Sequence, residues 1–169
     1  MHKFTDDMER EWKIILNTTI MEEISDGLDI DLFEPIKEGG ENVLTKIAPI
    51  SKENIARFVN MLFMICEAQC KDQSITPKLF GQGLGGIGLK SATTAFYEEW
   101  MDFFQCLDRT DLVEAIAKFQ GTIRELTTMV AERIKNVTME EVKEEMKRKL
   151  NSGSETPPIE NSSTSSPES

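Results

Sequence analysis

Residues 54–71 decide the fold that this sequence predicts, and they read NIARFVNMLFMICEAQCK. Apolar side chains recur every three or four residues along this stretch, at Ile55, Phe58, Val59, Leu62, Phe63, Ile65, Cys66 and Cys70. Polar residues gather on the opposite side, which is the pattern of an amphipathic helix. Because the apolar arc is wide, we predict one central helix packed inside a domain, with Ser51 as its N-cap.

The residues before this helix predict a β-hairpin and one short helix. Trp12 and Ile14 alternate with polar neighbours, and Phe4 would lie across a turn at residues 6–9. A lone hairpin is only marginally stable, so we expect it to pack on the helices. A capping box of Thr19 with Glu22 then predicts a short helix that ends at Gly27. The apolar segment 28–33 fits either a short strand or an extended packing segment, Gly39-Gly40 marks a loop, and 43–47 fits one or two helical turns.

The residues after the central helix predict three further helices and a glycine-rich connection. Thr76-Pro77 predicts an N-cap followed by a short helix over 78–81. Five glycines fall within residues 81–88, which we interpret as a flexible connection, and a second long helix would begin at Lys90. A third long helix carries a nearly heptad-spaced seam of Leu112, Ile116, Phe119, Ile123, Leu126, Val130 and Ile134.

A second capping box, Thr138 with Glu141, predicts a break in this third helix near Asn136 and a final helix over 139–150. The predicted fold is therefore mainly α, with a small N-terminal β-hairpin packed on a bundle of about four to five helices. We expect residues 1–150 to form this helical domain. Residues 151–169 are rich in Ser, Pro and Glu, and they predict a disordered polar tail.

Charge and composition exclude several classes of partner. The chain has a net charge of −11 and a pI of about 4.6, which argues against binding to nucleic acid or to anionic membranes. It contains no apolar run long enough to span a bilayer and no signal-peptide pattern, so we expect a cytoplasmic protein. Its three cysteines, Cys66, Cys70 and Cys106, are expected to be buried thiols on helical apolar faces.

No catalytic, cofactor or metal site is predicted. The glycine run matches G-x-G-x-x-G, but a dinucleotide site needs a strand before the first glycine, and a helix is predicted there. Cys66 and Cys70 lie one helical turn apart without further ligands, which favours core thiols over a zinc site. We interpret Glu98, Glu99 and Asp102 as the solvated side of a helix, and the only histidine, His2, as part of a mobile N-terminus.

A protein-binding surface is the remaining candidate. The predicted partner-binding residues lie on the last two helices, at Leu126, Val130, Ile134, Val142 and Met146. Their apolar stripe fits three occupants: this chain's own core, a helix of another protein, or a second copy of the chain. Self-association through residues 112–134 would make the protein a helical adaptor or regulatory protein, and a nucleotide-binding enzyme built on the glycine run is the third hypothesis.

Four segments, in this order, resemble small phage and prophage proteins of the tail assembly chaperone type. They are REWKI at 10–14, GLDIDL at 27–32, LFMICEAQ at 62–69, and FG at 80–81 followed by Ala95 and EEWMDFF at 98–104. The resemblance covers roughly residues 3–120. The chain departs from the pattern in the glycines at 83, 85 and 86 and in Cys70.

This resemblance implies a non-enzymatic protein without a cofactor that acts in the cytoplasm of an infected bacterium. Proteins of this type bind the long helical tape-measure protein while tail-tube subunits assemble around it, and they are absent from the mature virion. A longer frameshifted product often accompanies them. The resemblance therefore implies tape-measure and tail-tube proteins as partners, and the residues leave a homo-oligomer open beside them.

Overall fold

A computed structural model describes the backbone of residues 1–36 and 42–151, and the side chains there except 134–140, 142, 145 and 148–151. The chain is mainly helical (69%) with an N-terminal two-stranded antiparallel hairpin and seven helices in the described residues, which confirms the predicted fold class. Its contacts divide it into a unit of Met1–Thr127 and a second unit that begins at Thr128. The predicted loop at Gly39-Gly40, and the predicted tail apart from Asn151, lie outside the described residues.

The elements follow one another along the chain as a hairpin, six helices of 5 to 21 residues and one helix of 42 residues. The strands are β1 (His2–Thr5) and β2 (Glu11–Ile14), and the helices are α1 (Thr18–Leu28), α2 (Val43–Ile47), α3 (Lys52–Ile65), α4 (Glu67–Asp72), α5 (Pro77–Gln82), α6 (Gly86–Cys106) and α7 (Thr110–Asn151).

The predicted hairpin is confirmed. Phe4 pairs with Trp12 in the antiparallel register, and His2 pairs with Ile14. Phe4, Trp12 and Ile14 are buried, whereas the residues that alternate with them on β2 face solvent. The alternation of apolar and polar residues therefore predicted the buried face of the hairpin correctly. The hairpin packs mainly on α6, and the ring of Trp12 meets Phe80 of α5 edge-on at 4.9 Å between centroids.

The helix α1 forms as predicted, but its predicted ends are wrong. Its N-cap is Asn17, whose side chain accepts a hydrogen bond from the backbone N–H of Ile20, so the Thr19 capping box is not used. Gly27 lies inside the helix, and the left-handed residue that ends it is Asp29, with φ of 54°. Aspartate tolerates this conformation better than most residues do, which is why it can replace glycine here.

The apolar segment after α1 is a packing segment and contains no strand. Ile30 and Leu32 are fully buried, and the indole N–H of Trp100 donates to the carbonyl oxygen of Leu32 at 3.0 Å. This hydrogen bond ties the segment to α6. The predicted helical turns at 43–47 form α2.

The central helix is interrupted. Ser51 is its N-cap as predicted, accepting from the backbone N–H of Asn54. A single helix over 54–71 was wrong, because Cys66 has φ −95° and ψ 8° and separates α3 from α4. The chain has neither Gly nor Pro at this point to signal the break. The apolar face is nonetheless the centre of the core, with Phe58, Met61 and Leu62 fully buried.

The later helices differ from the prediction in their bounds. Thr76 caps α5 as predicted, through a hydrogen bond from the N–H of Leu79. However, α6 begins at Gly86, four residues before the predicted Lys90. The predicted break near Asn136 is also wrong, since the helical backbone of α7 continues through it to Asn151.

Candidate functional site

The hairpin turn is organised around one buried carboxylate, that of Asp6. Its side chain is 1% exposed. Oδ1 accepts from the backbone N–H groups of Met8 and Arg10 at 2.9 and 3.0 Å. Oδ2 accepts from Arg10 Nε at 2.6 Å and from the indole N–H of Trp12 at 2.9 Å. Burial alone would raise the pKa of Asp6, but the hydrogen bonds from Trp12 and Arg10 outweigh it, so the pKa lies below its ordinary value.

The next residue, Asp7, joins the hairpin turn to the start of α6. Its backbone N–H donates to the carbonyl oxygen of Gly83 at 2.8 Å. Its carboxylate Oδ1 accepts from the backbone N–H of Gly88, in the first turn of α6, at 2.7 Å. A carboxylate is stabilised at a helix N-terminus, where unpaired N–H groups and the positive end of the helix dipole meet. This contact explains why α6 begins earlier than its own sequence indicates.

The glycine run is shaped by this contact with the hairpin turn. A Cβ atom on Gly88 would lie 2.7 Å from the carbonyl oxygen of Gly83 and 3.0 Å from the backbone nitrogen of Asp7. A Cβ atom on Gly83 would overlap the side chains of Asp6 and Arg10, and one on Gly85 would overlap Asp7. These glycines therefore allow the close approach of two backbones. In a dinucleotide site the N-terminus of such a helix faces a phosphate; here it faces the protein's own carboxylate.

The acidic residues of α6 make contacts that the sequence did not predict. His2 Nδ1 lies 3.1 Å from Glu98 Oε2, and His2 Nε2 lies 2.9 Å from Asp102 Oδ2. Glu99 is largely buried and pairs with the amino group of Met1 at 2.9 Å. Glu98 and Asp102 are about half exposed as predicted, but a solvated Glu99 and a mobile His2 were wrong, because strand β1 holds His2 beside α6.

The three cysteines are free thiols, and two of them are buried. Burial raises the pKa of Cys66 to about 12 and that of Cys70 to about 11, so both stay protonated at neutral pH. Cys106 is exposed, which corrects the prediction that it lies on a buried face. It is the last residue of α6, beyond the buried side chains of that helix.

Neither a metal cluster nor a membrane span is found in the part of the chain that the structure describes. No group of three or more His, Cys, Asp or Glu residues there could hold a metal ion. Within the same residues, no helix combines the length and the apolarity needed to cross a bilayer.

The predicted partner-binding residues lie on α7. The seam begins in the first unit as core, with Leu112 and Ile116 buried. Towards the end of that unit, Leu126 is 46% exposed. In the second unit Val130 is 55% exposed and Met146 is 62% exposed. All three side chains are therefore exposed to solvent.

Three further apolar residues belong to α7: the predicted Ile134 and Val142, and Met129, which was not predicted. The side chains of Ile134 and Val142 lie outside the described residues. Met129 was missed, although it is exposed beside Val130 and its spacing of three residues from Leu126 was a usable signal. Because α7 is one continuous helix, Met146 lies sixteen residues from Val130 and about 160° round the helix from it. We therefore define the α7 stripe as Leu126, Met129 and Val130 and leave Met146 out of it.

Comparisons with known proteins identify no relative. The sequence matches neither a model of a known protein family nor a curated protein, and the structure matches no solved structure.

Proposed function

We propose that the α7 stripe binds helical segments of another protein, so that this chain is a non-enzymatic, protein-binding module. The observation that carries the proposal is the exposure of Leu126, Met129 and Val130 on one side of α7. Apolar side chains at helical spacing are the elements that recognise an amphipathic partner helix. A soluble chain gains from covering them, because exposed apolar groups in contact with water are unfavourable.

Within this class, we propose a phage tail assembly chaperone whose client is the helical tape-measure protein. The proposal is supported by the four resembling segments, which lie within Met1–Thr127. Their most specific part is Phe80-Gly81 followed by Asp102-Phe103-Phe104, and it contributes Phe80 of α5 and Phe104 of α6 to the core. The stripe would cover the apolar face of the client in the host cytoplasm while tail-tube proteins assemble. The protein would then be absent from the finished virion.

Copurification with a tape-measure protein encoded in the same genome tests this proposal. The full chain is coexpressed with the client, and the soluble fraction of the client and the mass of the complex are measured. The variant Leu126→Gln/Val130→Gln removes two apolar side chains while keeping good helix formers. We expect it to lose most of the client binding, because both side chains leave the contact.

A matched control separates the stripe from general surface hydrophobicity. Ile87, in the first turn of α6, is 84% exposed, so Ile87→Gln makes the same kind of change away from α7. We expect it to bind the client like the unmodified chain. No complex with the unmodified chain, or equal losses in both variants, would refute the proposed function.

A further inference from the structure

We propose that the α7 stripe, when no client is bound, pairs with the same stripe of a second copy of this chain. The inference goes beyond the proposed function and does not need a client. It rests on four properties of α7: the continuity of its seam, the low helix propensity of residues around the stripe, its charge balance, and the composition of the positions that flank the seam.

The seam is already a packing surface at its beginning. Leu112 and Ile116 are buried in the core, and Val113 and Phe119 pack against it. The same spacing of three and four residues then reaches Leu126, which is exposed. The apolar seam of α7 therefore continues beyond the residues that are buried in the core, and there it is exposed.

The helix also needs a covering partner for its own stability. Isolated helices are marginal in water, and most helical stability in proteins comes from packing of an apolar face. Around the stripe α7 contains Thr127, Thr128 and Val130, whose β-branched side chains have low helix propensity. The helical backbone here is therefore more stable when the stripe is packed against another helix.

Charge identifies a second copy as a suitable occupant. The chain as a whole has a net charge of −11, which opposes association between copies. In α7, however, the acidic and basic residues are equal in number. Its acidic residues are Asp111, Glu114, Glu125, Glu132, Glu140, Glu141, Glu144 and Glu145, and its basic residues are Lys118, Arg124, Arg133, Lys135, Lys143, Lys147, Arg148 and Lys149. The net negative charge is carried outside α7, so two α7 helices can approach each other without net repulsion.

The positions beside the seam favour the same occupant. In a pair of helices the residues flanking the seam come close to their counterparts, and like charges there oppose pairing. The flanking residues between Ile116 and Val130 are Gln120, Thr122, Thr127 and Met129, all uncharged. The charged residues of this stretch, Lys118, Arg124 and Glu125, lie farther round the helix. A symmetric pair therefore places no like charges in contact along this stretch.

Sedimentation equilibrium of the full chain without client tests the inference. The buffer contains a reducing agent, because the exposed Cys106 could otherwise form a disulfide between copies. We expect a reversible monomer–dimer equilibrium in the micromolar range. Leu126→Gln/Val130→Gln removes four apolar side chains from a symmetric pair, so we expect it to raise the dimer Kd by about a hundredfold. Ile87→Gln should leave the Kd unchanged.

Circular dichroism of both variants confirms that the helices are retained. A monomer at all concentrations up to about 100 μM, well above a typical specific Kd, would overturn the inference. So would a dimer that the α7 variant does not weaken, or one that Ile87→Gln weakens equally. Client binding by a strictly monomeric chain would refute this inference alone, whereas a dimer that binds no tape-measure protein would refute only the proposed function.

Discussion

Replacing Asp6, the buried residue of the hairpin turn, should destabilise the protein strongly. The carboxylate uses both oxygens, and each accepts two hydrogen bonds. Asp6→Ala leaves the N–H of Trp12 without an acceptor in a fully buried position, and it separates the Arg10 guanidinium from its ion-pair partner. Both losses raise the free energy of the folded state and leave that of the unfolded state unchanged.

The magnitude follows from these two groups. An unpaired buried donor costs about 1–3 kcal/mol, and removing one partner of a fully buried ion pair costs about 3–5 kcal/mol. The side chain of Arg10 is partly exposed and can be hydrated, so the second figure is an upper bound. We therefore expect Asp6→Ala to lower the free energy of unfolding by about 2–4 kcal/mol. For a domain of this size that lowers Tm by roughly 4–16 °C.

Asparagine gives a sharper test than alanine. An amide has one oxygen, but Asp6 faces one pair of donors at Oδ1 and another pair at Oδ2. In either orientation the amide NH₂ of Asp6→Asn faces two donors, so the isosteric change should destabilise nearly as much as alanine. Asp26→Asn, on the exposed side of α1, is the matched control and should leave Tm unchanged.

Urea denaturation and thermal melts at pH 7 measure these differences. Because the pKa of Asp6 is lowered in the folded state, its contribution is present above its ordinary pKa of 3.8 and is lost as the pH falls through the folded value. The gap between the unmodified chain and Asp6→Ala should therefore shrink below about pH 4. An Asp6→Asn protein as stable as the unmodified chain would refute the reasoning.

Three further results are expected. Gly88→Ala should destabilise the protein by about 1–3 kcal/mol, because its Cβ would meet backbone atoms; Gly86→Ala, with open space around its Cβ, should be neutral or stabilise by up to about 1 kcal/mol. A thiol reagent at neutral pH should modify one cysteine in the folded protein, Cys106, and all three after denaturation. Finally, burial raises the pKa of Cys66 from 9.0 to about 12. The contribution of this thiol to the free energy of unfolding is therefore fully present below pH 9, and urea denaturation should show it being lost as the pH rises from 9 towards 12. Equal effects of both glycine changes, or two reactive thiols before denaturation, would contradict these predictions.

The sequence predicted several elements correctly from local signals. The alternation around Trp12 placed the hairpin and its inner face, and the caps at Ser51 and Thr76 are used as predicted. These signals succeed because the residues that form the contact lie within four positions of one another.

It failed where the deciding contact was distant along the chain. The start of α6 depends on Asp7, which accepts a hydrogen bond from a residue 81 positions away, and no pattern near Gly86 records that. The fixed position of the His2 side chain likewise depends on distant residues, Glu98 and Asp102. The glycine run likewise looked like a flexible connection, because the atoms that require its missing side chains belong to the hairpin turn.

The candidate site shows a different limit of prediction from sequence. The spacing of apolar residues identified the right face of α7 but could not tell which residues of that face are buried. Ile116 and Leu126 occupy the same face of α7 by spacing, yet the first is fully buried and the second is exposed. The difference is set by how far the elements of the first unit reach along the helix, which hydrophobic spacing does not encode. Where the apolar face of a helix extends beyond the elements that bury it, the remaining residues face either solvent or a partner. The charge balance of α7 within a strongly acidic chain favours the partner, because a helix evolved only for solvation has no need of an uncharged seam.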